Sequence, residues 1–127
     1  MEPLGKRLII AEDAPAERDV LAKTLEYLGY RVSAAENGRE ALDLFNTHGA
    51  DLIISDIQMP EMSGLELLRT LREQGHEIPF IILTGFDTSE ARNTASSYRA
   101  TALLVKPFRV LHLRSLLESI LNHRTEL

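Results

Sequence analysis

Cysteine is absent from the 127 residues, which excludes disulfides and thiol chemistry and leaves the redox compartment open. A Lys/Arg cluster is also missing. The chain has 14 Lys and Arg against 19 Asp and Glu, a formal charge of −5. A bare nucleic-acid binder needs a basic face to neutralise phosphates, so direct nucleic-acid binding is not expected. No apolar run approaches the roughly 20 residues that span a bilayer, and the opening Met1–Arg7 is polar and leads straight into a strand-like run. Neither a membrane segment nor a signal peptide is expected, and cytoplasm is the default compartment. Repeats, low-complexity tracts and linkers are lacking too. What is present is an ordinary globular composition, 44% hydrophobic and 26% charged. It suits one domain over residues 1–127, with apolar material for a single core and no second domain.

Strand-like and helix-like segments alternate five times. Leu8–Ala11, Arg31–Ala35, Leu52–Asp56, Phe80–Leu83 and Ala102–Val105 read as strands, the second weaker and alternating as at a sheet edge. Between them, Val20, Leu21, Leu25 and Leu28 mark a first helix opened by Pro15 and stopped by Gly29. Asn37-Gly38 reads as a turn, and Ala41, Leu42, Leu44 and Phe45 mark a second helix ending near Gly49. Ser63 and Glu66 have capping-box spacing before a third helix with Leu67, Leu68 and Leu71, ended by Gly75. Asp87 with Glu90 is the expected cap of a fourth helix, Ser89 to Tyr98. Its few apolar residues, Ala91, Ala95 and Tyr98, mark it as a candidate moving part. Leu113, Leu116, Leu117, Ile120 and Leu121 form the stripe of a fifth helix. Short connections between alternating elements argue for a parallel sheet covered on both faces.

Four of the apolar runs stop at polar residues: Glu12-Asp13, Asp56, Thr84 and Lys106. Sites in open parallel sheets form at the carboxyl ends of the strands. Two carboxylates about 4 Å apart repel by roughly 4 kcal/mol at an effective dielectric of about 20. Three together call for a cation. Lys106 offsets part of the charge, and a hard dication such as Mg²⁺ suits carboxylates, a carbonyl, water and a phosphate. The carbonyl would come from the loop after Asp56, at Gln58. A carboxylate nucleophile forming an aspartyl phosphate fits this set, with the Thr84 hydroxyl and Lys106 ammonium offsetting phosphoryl charge.

The acidic pair Glu12-Asp13, the Asp56-Ile57-Gln58-Met59-Pro60 run, Thr84-Gly85 and Lys106-Pro107-Phe108, in that order, resemble the receiver domain of bacterial two-component response regulators over nearly the whole chain. The resemblance implies a flavodoxin-like (βα)5 fold, a doubly wound parallel five-stranded sheet of order 2-1-3-4-5. It implies phosphorylation of Asp56 by a phosphohistidine on a histidine kinase or histidine phosphotransfer protein. Glu12, Asp13, Asp56 and the Gln58 carbonyl would hold Mg²⁺, while Thr84 and Lys106 would bind the phosphoryl group. The chain would be a phosphoacceptor assisting its own phosphorylation and dephosphorylation rather than an enzyme on other substrates. It would act on a downstream protein or output domain, and receivers often pair as homodimers. The Lys106-Pro107 bond is expected to be cis. Two positions depart from the family pattern. Leu103 stands where an aromatic residue often serves as a switch, and Arg99-Ala100 replaces a common Gly-Ala. Arg disfavours positive φ, so this loop is expected to be less permissive.

Taken singly, each group has a structural explanation. Asp13 would cap the first helix, Asp56 would be a loop residue, Thr84 a turn former and Lys106 a surface charge. The four histidines, His48, His76, His112 and His123, lack metal-site spacing and read as surface residues. Met59 and Met62 are expected to pack, and Arg92, Arg99 and Arg109 to form a solvated face. A phosphate-ester hydrolase of the haloacid-dehalogenase type would want an acid where Gln58 stands. A flavodoxin-like cofactor binder would not put Glu12-Asp13 in its phosphate loop. The remaining alternative is a receiver-like scaffold that works without phosphorylation, which Leu103 keeps open.

Overall fold

The computed structural model describes residues 5–125; Met1–Leu4 and the His123 side chain, each read from the sequence above, lie outside the described residues. In chain order the elements are β1 (Arg7–Ala11), α1 (Pro15–Tyr27), β2 (Arg31–Ala35), α2 (Gly38–His48), β3 (Leu52–Asp56), α3 (Gly64–Glu73), β4 (Phe80–Thr84), α4 (Ser89–Ser97), β5 (Ala102–Val105) and α5 (Val110–Thr125). All five strands are parallel, in the order β2-β1-β3-β4-β5. This is the expected doubly wound flavodoxin-like arrangement.

The unbroken apolar strands follow from burial on both faces. Successive side chains point to opposite sides. Leu8, Ile10, Leu52, Ile54, Ile81 and Leu83 therefore pack with Leu21, Leu25, Leu113, Leu117 and Leu121 of α1 and α5. Their alternates Ile9, Ile53, Phe80 and Ile82 pack with Leu42, Leu67, Leu68 and Leu71 of α2 and α3. Each fully buried Leu, Ile or Phe contributes roughly 1.5–3 kcal/mol, so the two half-cores hold the sheet rigidly behind its C-terminal rim. Leu116 and Ile120 are only partly buried, packed against the α1–α5 side.

Several local expectations change. Val20 does not join the α1 stripe inward but is 63% exposed. Asn37 and Gly38 form no free turn: Asn37 is the N-cap of α2, its side chain accepting from the Glu40 N–H. The cap of α4 is Thr88, not Asp87. The Thr88 hydroxyl accepts from the Ala91 N–H, and Asp87 pairs with Arg92 instead. Asp13 caps nothing: the N-cap of α1 is Ala14, and no side chain caps it. Arg99 does take a positive φ, 61°. The capping box of Ser63 and Glu66 forms as expected, and Lys106-Pro107 is cis. Of α4 only Ala95 is buried.

Candidate functional site

The polar residues that end β1, β3, β4 and β5 share one rim because the strands are parallel and in register. Asp56 lies opposite Leu83, one residue before Thr84, and Thr84 opposite Val105, one before Lys106. Carboxylate oxygens of Glu12, Asp13 and Asp56 come within 4.8 Å of one another. Glu12 is 3% exposed, and Asp13 faces solvent. Glu12 accepts from the Ala14 N–H at 3.1 Å, and Asp56 from the Ile57 N–H at 2.9 Å, so both acids are held by the backbone that follows them. Among the described residues this is the one acidic or histidine group with the geometry of a metal site, and no histidine joins it. His76 instead packs edge-on against Phe45, with ring centroids 4.9 Å apart.

Lys106 reaches into this group from β5. Its ammonium donates to Glu12, Asp56 and Glu17, each at 3.1 Å. Burial works against the charged amine, but the hydrogen bonds to Glu12, Asp56 and Glu17 outweigh it and hold Lys106 above the ordinary lysine range. Burial pushes the Glu12 carboxyl up, with the Asp56 charge adding to the shift. The Ala14 N–H and Lys106 oppose it. Three carboxylates in the cluster outnumber one lysine, and the surplus negative charge suits a dication of hard oxygen preference.

Thr84 is buried at 4% exposure. Its hydroxyl donates to the Phe86 carbonyl and accepts from the Phe86 N–H, both at 3.0 Å. Asp56, Gln58, Thr84, Phe86 and Lys106 line one cavity of about 590 Å³ that reaches the start of α4. Gln58 is exposed in the β3–α3 loop, which places its backbone beside Asp56. Phe86 is 74% exposed at the cavity. Leu103 packs, half-buried, against the half-core that includes Ala95.

Glu17 escaped notice in the sequence. Nothing distinguishes it from other helix-surface acids until the fold brings the Lys106 ammonium within 3.1 Å of it. Its place in the first turn of α1 is a common one for an acid and carries no mark of Lys106. A second cavity, about 620 Å³ and mostly apolar, opens beside Glu12, Glu17 and Lys106 and is bounded by Val20, Phe108 and Val110.

The family model of the response regulator receiver domain matches residues 8–118. Response regulator MprA of Mycolicibacterium vanbaalenii is 34% identical over 119 residues, 94% of this chain and 52% of that protein. The chain thus spans about half the length of the curated relatives it matches. Among solved structures, the chemotaxis protein CheY4 of Vibrio cholerae superposes with a TM-score of 0.86 at 33% identity, covering 91% of this chain and 98% of that one. The receiver domain of Francisella response regulator 1452 superposes with a TM-score of 0.89 at 28% identity, covering 94% of this chain and 99% of that one.

Proposed function

The chain belongs to the response regulator receiver domain family, and from that premise we propose that it takes a phosphoryl group on Asp56 and signals by the change that follows. The donor is a phosphohistidine on a histidine kinase or a histidine phosphotransfer protein. An Asp56 carboxylate oxygen forms the new O–P bond as the P–N bond to the donor imidazole breaks. The bonding pair stays on that nitrogen. Lys106 and the Thr84 hydroxyl stabilise charge on the phosphoryl oxygens.

The donor set fits Mg²⁺: Glu12, Asp13, Asp56 and the Gln58 carbonyl are all hard oxygen ligands, and the three carboxylates already lie close together. When bound, the ion would supply a positive charge shared between the acceptor carboxylate and the incoming phosphoryl oxygens. The rest falls to the chain itself. Its β-strands fix Asp56 at a rigid rim, and Lys106 holds the acceptor by a hydrogen bond of 3.1 Å. Thr84 can donate to a phosphoryl oxygen only by releasing the Phe86 carbonyl it now holds. That release frees the exposed Phe86 and the loop leading to α4, whose sparse burial leaves it free to shift. A downstream protein or output domain, or a second copy of the chain, then reads the altered face. Exposed Val20 and Val110, which line the α1–α5 cavity with Lys106, offer an apolar landing surface for the phosphodonor. A cytoplasmic location accords with this role; among the described residues no helix is long and apolar enough to cross a membrane.

The single observation that carries this reading is the convergence of Glu12, Asp13 and Asp56 within 4.8 Å, with Lys106 bonded to two of them. Intact-protein mass spectrometry after incubation with acetyl phosphate and Mg²⁺ tests it. The expected result is a mass gain of one phosphoryl group that Asp56→Asn abolishes. No gain in the wild-type protein, or an undiminished gain in the variant, overturns the assignment of Asp56.

A further inference from the structure

We propose that Glu17 is a positioning residue that competes with the phosphoryl group for Lys106 and so sets how readily the site takes that group. The inference rests on the phosphoacceptor reading of Asp56. A lysine ammonium has three donors and no acceptor. All three are committed here, to Glu12, Asp56 and Glu17 at 3.1 Å each. A phosphoryl oxygen therefore gains a Lys106 hydrogen only when one carboxylate gives it up.

The three carboxylates are not equivalent. Glu12 is buried and also accepts from the Ala14 N–H. Asp56 carries the phosphoryl group itself and accepts from the Ile57 N–H. Both lie in the acidic cluster, to which Glu17 does not belong. The Glu17 side chain is 60% exposed, and its hydrogen bond is to Lys106. Water rehydrates a released Glu17 carboxylate at little cost, because most of its surface is already wet. Glu17 is the partner that yields. While it holds on, one of the three Lys106 donors is spent toward α1 rather than in the cavity that Lys106 lines with Thr84 and Phe86. A bland role is also open to Glu17: an acid in the first turn of a helix favours the positive end of its dipole. That role predicts nothing at Lys106, which makes the two separable.

The test is the affinity of the Mg²⁺-saturated protein for beryllium trifluoride, a phosphoryl mimic, measured by calorimetry. Glu17→Gln should bind about two- to fivefold more tightly, the range that a single exposed ion pair commands. Glu17→Asp keeps the charge but is one methylene too short, and it should tighten binding as well. Asp19→Asn, which removes a charge from the same helix at a residue paired with Lys23, should change nothing. In a Lys106→Met background, Glu17→Gln should lose its effect. The inference is overturned if Glu17→Gln binds as the wild type does. It is equally overturned if Glu17→Asp matches wild type, or if the gain persists without Lys106, since either would mark a field effect of charge alone. Failure of the wild-type protein to bind the mimic would instead bring down the phosphoacceptor reading, and the Glu17 role with it.

Discussion

Arg99 does at the end of α4 what glycine does at the ends of α1 and α3. In all three the residue after the C-cap turns left-handed, with φ of 106° at Gly29, 90° at Gly75 and 61° at Arg99. The same pair of bonds closes each: Gly29 N–H to Glu26 and Tyr30 N–H to Leu25, Gly75 to Arg72 and His76 to Leu71, Arg99 to Ser96 and Ala100 to Ala95. This is a Schellman closure, where a side chain costs roughly 1–2 kcal/mol relative to glycine. Arg99 recovers some through Glu77, at 2.9 Å, though an exposed pair is worth little. Its carbonyl is also fixed by the buried Arg72 guanidinium, which donates to the carbonyls of Tyr98, Arg99 and His76. Arg99→Gly is therefore expected to match or exceed wild-type stability, by up to about 1 kcal/mol after glycine's extra chain entropy is counted. Arg99→Val, β-branched at positive φ, should lose about 1 kcal/mol or more. Urea denaturation checks the order, and a valine variant as stable as the glycine one would refute the strain. At this scale the sequence was legible where a polar residue interrupts an apolar run: Asp56, Thr84 and Lys106 stand out for that reason. Glu17 does not, because a surface acid on a helix carries no mark of what crosses over it.

The start of α3 is pressed against the backbone of Asp56. The Gly64 N–H donates to the Ile57 carbonyl at 2.8 Å, and a Cβ at Gly64 would lie 2.0 Å from the Asp56 carbonyl oxygen and 2.9 Å from Ser55 Oγ. The obstacle is backbone, which cannot swing away. Gly64→Ala should thus cost at least the roughly 1–3 kcal/mol of overpacking and shift the Asp56 peptide. Denaturant midpoint and phosphoryl uptake should fall together; an alanine variant that keeps both would show that α3 does not brace the acceptor. The same helix carries a pH signature. The Ser63 N–H holds the Glu66 carboxyl below its ordinary range, aided by the Ser63 side chain. A depressed folded pKa gives stability that is present above the unfolded value and lost as pH falls from there through the folded value. Melting temperatures of wild type and Glu66→Gln should therefore differ near neutrality, wild type higher, and converge in acid below the usual glutamate range. A gap that persists in acid would assign the box to neutral hydrogen bonding alone. Strands were plain from their apolar runs, and so was this box from its spacing. The starts of α2 and α4 were misread because Asn, Asp, Ser and Thr serve turns and caps alike. Only the backbone shows that Asn37 and Thr88 cap while Asp87 is drawn off to Arg92.

On the scale of the whole molecule, parallel architecture follows from the alternation of elements, but strand order does not. Periodicity carries no record of which strand lies beside which, and the order 2-1-3-4-5 came from the resemblance alone. That order is what gathers charge from four strands at one rim, at the expense of the fold's own stability. Two carboxylates with oxygens no more than 4.8 Å apart repel by roughly 3 kcal/mol or more at an effective dielectric of about 20, and by less where one is exposed as Asp13 is. Asp13→Asn is then expected to melt higher than wild type without metal, since it removes repulsion and no capping bond. Lys106→Met should melt lower, because Glu12 and Asp56 lose the cation they share. Added Mg²⁺ should lift wild type above Asp13→Asn. A ligand of the native state at about 100 times its Kd adds about 2.7 kcal/mol, on the order of 10 °C for a chain of this size. Wild type should rise by that amount, Lys106→Met by as much or more, since the dication replaces the missing ammonium, and Asp13→Asn hardly at all. A thermal-melt series in Mg²⁺ distinguishes this from a site whose charges are merely solvated. In that case all three proteins would respond alike and weakly, because a carboxylate already satisfied by water has no repulsion for the ion to relieve.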